Sequence, residues 1–373
     1  MLMNEASGPH LRRGWTTGTC ATAAARAAFE ALVIGQFPDP VSVTLPRGGR
    51  PAFALALQER GDGFARAGVV KDAGDDPDVT HGALVIATVR LAAPGSGVSF
   101  KAGEGVGRVT RAGLPIPPGE PAINPVPRAM MRQAIEEAAA LLGVPTDVEI
   151  EIAIPGGQEL AKRTLNGRLG IVGGLSILGT TGIVVPFSCA AWIATIHRGI
   201  DVARAEGLHH IAGATGATSE EAVRNLHGLS EVALIDMGDF VGGMLKYVRG
   251  HPVRRVTIAG GFAKMTKLAQ GLLDLHSKRG EIDRARLAQF VAEAGGDDAM
   301  IQSVIGANTA LEVLERSRAA GLNVPAHVAG AAWATAANVL QREDILLDVA
   351  IFDRQGVLLA KTEPQPALAA GAP

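Results

Sequence analysis

The chain is short of cysteine, aromatic residues and net charge, and each shortage excludes a class of protein. Cys20 and Cys189 are its only cysteines among 373 residues. Two are too few for a disulfide framework, so a reducing, cytoplasmic setting is expected. The formal net charge is −2, which argues against nucleic acid or an anionic membrane as the main partner. The most apolar stretch, Ile183 to Ile196, is broken by Pro186 and Ser188 and falls short of the roughly 18–20 residues of a membrane span. Met1 to His10 carries no apolar segment after a basic start, so no secretory signal is expected. Aromatics make up 4 %, yet 47 % of the residues are apolar, which is not the composition of a disordered chain.

What is abundant is glycine, with 47 residues gathered at junctions between apolar runs. That suggests tight turns and backbone that approaches ligands closely. The length predicts two domains, because single cores stop growing at roughly 250–300 residues.

The most unusual segment is Val69-Val70-Lys71-Asp72-Ala73-Gly74-Asp75-Asp76-Pro77-Asp78-Val79-Thr80-His81-Gly82, with the apolar run Ala83 to Val89 directly behind it. Four aspartates between two buried strands repel one another. Either a positive group sits among them or each carboxylate is hydrogen-bonded locally, as in an Asx-rich turn. The spacing matches neither an EF-hand nor an HExxH helix, so no protein-bound metal is expected. Asp72, Asp75, Asp76 and His81 are the candidate catalytic residues, as bases or as holders of a substrate group.

Two halves differ in rhythm. From Trp15 to about Ile154 strands and helices alternate without strict order, an α+β pattern. Thr16-Thr17-Gly18-Thr19 precedes an alanine-rich helix from Cys20 to about Leu32, with threonine as N-cap. Strands are predicted at Val41–Leu45, Ala52–Gln58, Phe64–Val70, Leu84–Arg90 and Val148–Ile154, with a helix from Asn124 to Leu142 stopped by Gly143. From about Ile183, strands at Gly182–Val185, His209–Ala212, Val232–Ile235 and Arg255–Ile258 alternate with helices, implying a small parallel sheet. Helices dominate from Lys264 to Gln341, Asp348–Phe352 is a last strand, and the tail is expected to be disordered. The predicted domains are 14–182, 183–361 and a tail over 362–373.

Ligands of such sheets bind outside the carboxyl ends of the strands. Gly213, Thr215, Asp236, Asp239, Gly260 and Gly261 lie there and are the candidate cofactor residues. No GxGxxG follows the first of these strands; Gly213-Ala214-Thr215-Gly216 is a looser relative. Lys101 to Arg111 is rich in glycine and could present N–H groups to an anion or form a plain hairpin. The start of the first helix could bind an anion or be simply capped.

Several blocks resemble one family. Gly14-Trp15-Thr16-Thr17-Gly18-Thr19-Cys20-Ala21, the Val69–Gly82 run, the Gly113–Pro125 segment and Arg168-Leu169-Gly170-Ile171-Val172-Gly173-Gly174-Leu175 through Val184 are similar to the cobalt-precorrin-5B C(1)-methyltransferases of anaerobic cobalamin synthesis. The resemblance spans about Gly14 to Asp353. It implies S-adenosyl-L-methionine as methyl donor and a cobalt-containing tetrapyrrole as acceptor, with cobalt brought by the substrate. It also implies a first domain like the second domain of ribosomal protein S5, followed by a small parallel α/β sheet. It carries no assignment of catalytic residues. An acceptor fringed with carboxylates calls for cations and helix N-termini, for which Thr16, Thr17, Thr19, Lys71, Arg108, Arg111, Arg128 and Arg168 are the candidates. A small-molecule kinase, since S5-like domains also serve kinases, and a non-catalytic tetrapyrrole carrier are the rival readings. Homo-oligomerisation and contact with neighbouring pathway enzymes stay open.

Overall fold

Thr16 opens the first helix earlier than expected. Its side-chain oxygen accepts the N–H of Thr19 at 3.2 Å, so the helix runs Thr17–Ile34 rather than from Cys20, and Gly35 ends it at φ 83°. The structure, a computed structural model, describes residues 11–277 and 279–368. It falls into two units that break between Ser188 and Cys189.

In the first unit a five-stranded sheet has the order Leu57–Gly61, Phe64–Val70, Leu84–Leu91, Val148–Ala153, Val98–Ala102. Neighbours are antiparallel except the last pair, which is parallel. Ala65, Ala67, Val69, Val85, Ala87 and Val89 are buried beneath the first helix, whose Ala21, Ala24, Ala25, Ala28 and Ala31 are buried in turn. Small side chains on both sides let helix and sheet approach closely, and a helix apolar all round is a core helix. The Pro125–Leu142 helix packs on it through Met131, Ile135 and Ala138. Val148, Ile150 and Ile152 point inward and alternate with half-buried residues, the period of two of a half-covered strand.

The predicted Ala52–Gln58 strand is broken. Ala52–Phe53 pairs with Val41–Ser42 as a separate ladder, while Leu57–Gly61 joins the sheet. Ile183–Val184 pairs antiparallel with Gly14–Trp15. That strand, expected to begin the parallel series, therefore belongs to the first unit.

In the second unit Leu234–Asp236, His210–Ala214, Arg255–Gly261 and Arg342–Phe352 form a parallel sheet in that order. One face carries Ile211, Ile235, Val256, Ile258, Leu347, Val349 and Ile351, in one apolar cluster with helices Cys189–Ala205, Val241–Gly250, Phe262–Ala269 and Val324–Leu340. The other face carries Ala212, Leu234, Ala259, Ala350 and Phe352 under Val223 of helix Ala217–His227. The last parallel strand is longer than the expected Asp348–Phe352. Leu358–Lys361 and Gln365–Ala367 both pair with it antiparallel, so the chain is ordered to Leu368 where a disordered tail was expected. Residues 1–10, read for a signal, and 369–373 of the tail lie outside the described residues.

Candidate functional site

The acidic loop resolves its repulsion in both of the ways the sequence allowed. Lys71 is 1 % exposed, and its ammonium bonds the Asp78 carboxylate and the Thr80 hydroxyl. Asp78 Oδ1 also accepts the Thr80 N–H at 2.8 Å. Burial pushes the Asp78 carboxyl up, but Lys71 and Thr80 outweigh it and hold it below the usual range. Asp72 receives both guanidinium nitrogens of Arg12, one at 2.9 Å, and the Gly74 N–H. The Arg12 bonds, then that N–H, bring it down to about 2. Asp75 accepts the Arg12 backbone N–H at 2.6 Å, and Asp76 accepts the Phe187 N–H at 2.8 Å. His81 Nδ1 accepts the Ala73 N–H at 3.1 Å, which leaves the proton of neutral His81 on Nε2. The four candidate catalytic residues thus sit on one loop that clamps two neighbouring segments, around Arg12 and around Phe187.

The candidate acceptor-binding residues do not form one cluster. Lys71 is sealed beneath the loop. Thr16 caps the first helix, the Thr19 hydroxyl donates to Gly182 O at 2.7 Å, and Thr17 is buried. The N–H groups of Gly18 and Cys20 go to Leu178 O and Thr16 O, so most of this helix start is satisfied from within. Arg108 is exposed and donates to Gly119 O at 3.2 Å. Arg128 donates to Ile123 O and Pro121 O, pairs with Glu120 and lies 5.5 Å from the Phe100 ring centre. Arg111 packs its methylenes against Gly170, and Arg168 is half-buried on the loop before Ile171.

The glycine-rich loop is neither a hairpin nor an open anion cradle. The strands flanking it, Val98–Ala102 and Arg108–Val109, pair with different partners. The N–H groups of Gly103, Val106 and Gly107 bond Ile152 O, Gly103 O and Leu175 O. Gly105 has φ 71° and lies so close to the Ile154 carbonyl that any Cβ would collide with it.

In the second unit the strand order changes direction between His210–Ala214 and Arg255–Gly261, and ligands of open α/β sheets bind at such a switch point. Thr215 and Gly216 follow the first strand; Gly260 and Gly261 end the second. A Cβ at Gly216 or Gly261 would meet nothing within 4 Å, so open space lies beside the starts of helices Ala217–His227 and Phe262–Ala269. Gly213, by contrast, is packed against the Met237 and Met244 sulfurs and faces the core. Lys264 Nζ donates to Thr215 O at 2.7 Å and pairs with Asp239 Oδ1 at 3.0 Å. The indole of Trp192 donates to Asp236 O at 3.3 Å and lies against Gly238.

Reasoning from sequence missed Arg12, Lys264, Trp192 and Phe187. Lys264 could have been found as a cation one turn into the helix that follows Gly260-Gly261. The other three carry no signal without the fold. Among the described residues, no three or more His, Cys, Asp or Glu converge as a metal site.

Fold and site together define a two-unit mixed α/β protein whose parallel sheet has a switch point with open space beside Gly216 and Gly261. Residues 4–186 match the family model CbiD, and residues 274–363 match the model described as CbiD, C-terminal domain. The cobalt-precorrin-5B C(1)-methyltransferase of Methylorubrum extorquens is 66 % identical over 96 % of this chain and 99 % of its own length. That of a Bradyrhizobium species is 64 % identical over 94 % and 93 %. A crystal structure of the cobalamin biosynthesis protein CbiD from Archaeoglobus fulgidus is 30 % identical, covering 72 % of this chain and 83 % of that one at a TM-score of 0.39. The chain belongs to the CbiD family.

Proposed function

We propose that the chain transfers a methyl group from S-adenosyl-L-methionine to ring carbon C1 of cobalt-precorrin-5B, giving cobalt-precorrin-6A. The observation that carries this reading is full-length identity of 56–66 % to relatives named for that reaction. A first unit resembling the second domain of ribosomal protein S5 agrees with a helix packed on a mixed five-stranded sheet. The kinase alternative loses support, because the N–H groups of Gly103, Val106 and Gly107 in its glycine-rich loop are bonded within the protein. The non-catalytic alternative has no observation in its favour.

The second unit fits the donor. The open space beside Gly216 and Gly261 would admit it, and Lys264 would hold its carboxylate. Asp236 and Asp239 suit its amino group or ribose hydroxyls. Bound there, the donor supplies an electrophilic methyl on a sulfonium, so alignment within about 3–3.5 Å is the main requirement. As C1 gains the methyl group the donor's S–CH3 bond breaks and its sulfur leaves as the neutral thioether; rearrangement of the ring's double bonds then releases a proton, and the acidic loop is the proposed acceptor. Asp72, held at about 2 by Arg12, is a poor proton acceptor. Asp75, whose side chain is exposed, takes that role. Anaerobic incubation of the purified chain with cobalt-precorrin-5B and the donor tests the reading. Product heavier by one methyl at C1 is expected, and its absence overturns the assignment.

A further inference from the structure

Phe187 is held in an unfavourable backbone conformation with its ring in water. Its φ is 55° and its side chain is 66 % exposed. Among the described residues the only other non-glycine at positive φ is Gln341, which ends a helix, where the left-handed region is common. For a bulky residue in a loop this conformation is strained, and such strain persists only where the surroundings impose it. In those surroundings the Phe187 N–H is donated to Asp76 Oδ1 at 2.8 Å.

The neighbourhood points to a flat, apolar, anionic ligand. Gly14 faces Val184 on an antiparallel ladder, so the chain on either side continues as Arg12–Arg13 and Val185–Phe187. Leu11, Val185 and Phe187 are exposed apolar residues, and Arg12 and Arg13 are exposed cations beside them. A macrocycle with an apolar face and a fringe of carboxylates matches both features: the ring stacks on the phenyl group and the fringe meets the Arg13 guanidinium, that of Arg12 being paired with Asp72.

We propose that Phe187 is the stacking platform for the tetrapyrrole acceptor, and that Asp76 is the positioning residue that fixes it there. This deepens the function proposed above and rests on a tetrapyrrole being the acceptor. It removes Asp76 from the proton-handling set and gives the acidic loop a second task, presentation of an aromatic ring.

The test measures KM and kcat for cobalt-precorrin-5B, acceptor binding by absorbance without donor, and thermal unfolding. Phe187→Gly deletes the ring and relieves the strained φ. It is expected to raise KM and the dissociation constant about tenfold or more, with kcat within about threefold and a Tm equal to or above that of wild type. Asp76→Ala is expected to raise KM similarly, and Asp76→Asn, whose amide oxygen can accept the same N–H, to restore it. The double variant Asp76→Ala, Phe187→Gly is expected to be no worse than Phe187→Gly alone. A KM within twofold of wild type in Phe187→Gly overturns the proposal, as does a lowered Tm, which would make the ring structural. Wild-type protein that makes no methylated product would instead overturn the function on which the proposal rests.

Discussion

Protonation of His210 should destabilise the second unit by about 2 kcal/mol, through a polar cluster under helix Ala217–His227. Arg255 Nε donates to Asp348 Oδ1 at 2.9 Å, and the Thr257 hydroxyl donates to Asp348 Oδ2 at 2.9 Å. Because Thr257 has given its proton to Asp348, its oxygen accepts from His210 Nε2 at 2.8 Å, which defines a neutral His210 protonated at Nε2. Burial, then the nearby Arg255 charge, brings His210 down from 6.5 to about 4. The unfolded chain therefore binds the proton more readily, so stability is complete above about pH 6.5 and is lost as pH falls towards 4. Two and a half pH units at about 1.36 kcal/mol each set an upper bound of about 3.4 kcal/mol. The ring is only half-buried, and solvent screening reduces this to about 2 kcal/mol. Urea unfolding of wild type and His210→Gln, whose amide can still donate to Thr257, should be followed from pH 4 to 7.5. The stability difference between the two should change by about 2 kcal/mol across that window, wild type losing more on the acid side. A difference that does not vary with pH, or a His210 resonance titrating near 6.5, would refute the reasoning.

Three further outcomes follow from the geometry. Lys71→Met should cost about 3 kcal/mol in urea unfolding, because it strands the partly buried Asp78 carboxylate without its cation; a loss below about 1 kcal/mol would mean that Asp78 is already solvated. A thiol reagent at pH 8 should label one cysteine per native chain, Cys189. Burial pushes the Cys20 thiol up to about 12, so Cys189→Ser should stay unlabelled until unfolded, and rapid native labelling of that variant would count against a sealed core. Asp75→Asn should lower kcat by about a hundredfold or more and Asp72→Asn by less than about tenfold; equal losses would remove the distinction drawn between the two carboxylates.

Much of the fold was legible because its signals are local. The threonine cap before an alanine run, Gly143 after Leu142, and apolar runs spaced by helices each report on a few neighbouring residues. What was not legible depends on distant pairing. Ile183–Val184 reads like the parallel strands after it, yet it is claimed by Gly14–Trp15, some 170 positions away. The ordered end of the chain escaped for the same reason, since Gln365–Ala367 is a strand only because Arg342–Phe352 offers it an edge. At the candidate site, composition marked the acidic loop as unusual but could not say that Arg12 and Phe187 are what its carboxylates hold. The basic residues were chosen by type. Arg128 shows the limit of that choice, because its donors are engaged by Ile123, Pro121 and Glu120.

The two short strands after residue 357 also act as a guard. A parallel sheet leaves two rows of unpaired backbone groups at its margins, and each is a template for another chain. Here one margin is only three residues long, Leu234–Asp236. The other, on the eleven-residue strand Arg342–Phe352, is paired at both of its ends, by Gln365–Ala367 at Arg342 and Leu346–Leu347 and by Leu358–Lys361 at Ala350–Phe352. A chain cut after Asp353 would keep every proposed donor-binding residue and still expose that long apolar margin. Its failure would be self-association rather than loss of chemistry.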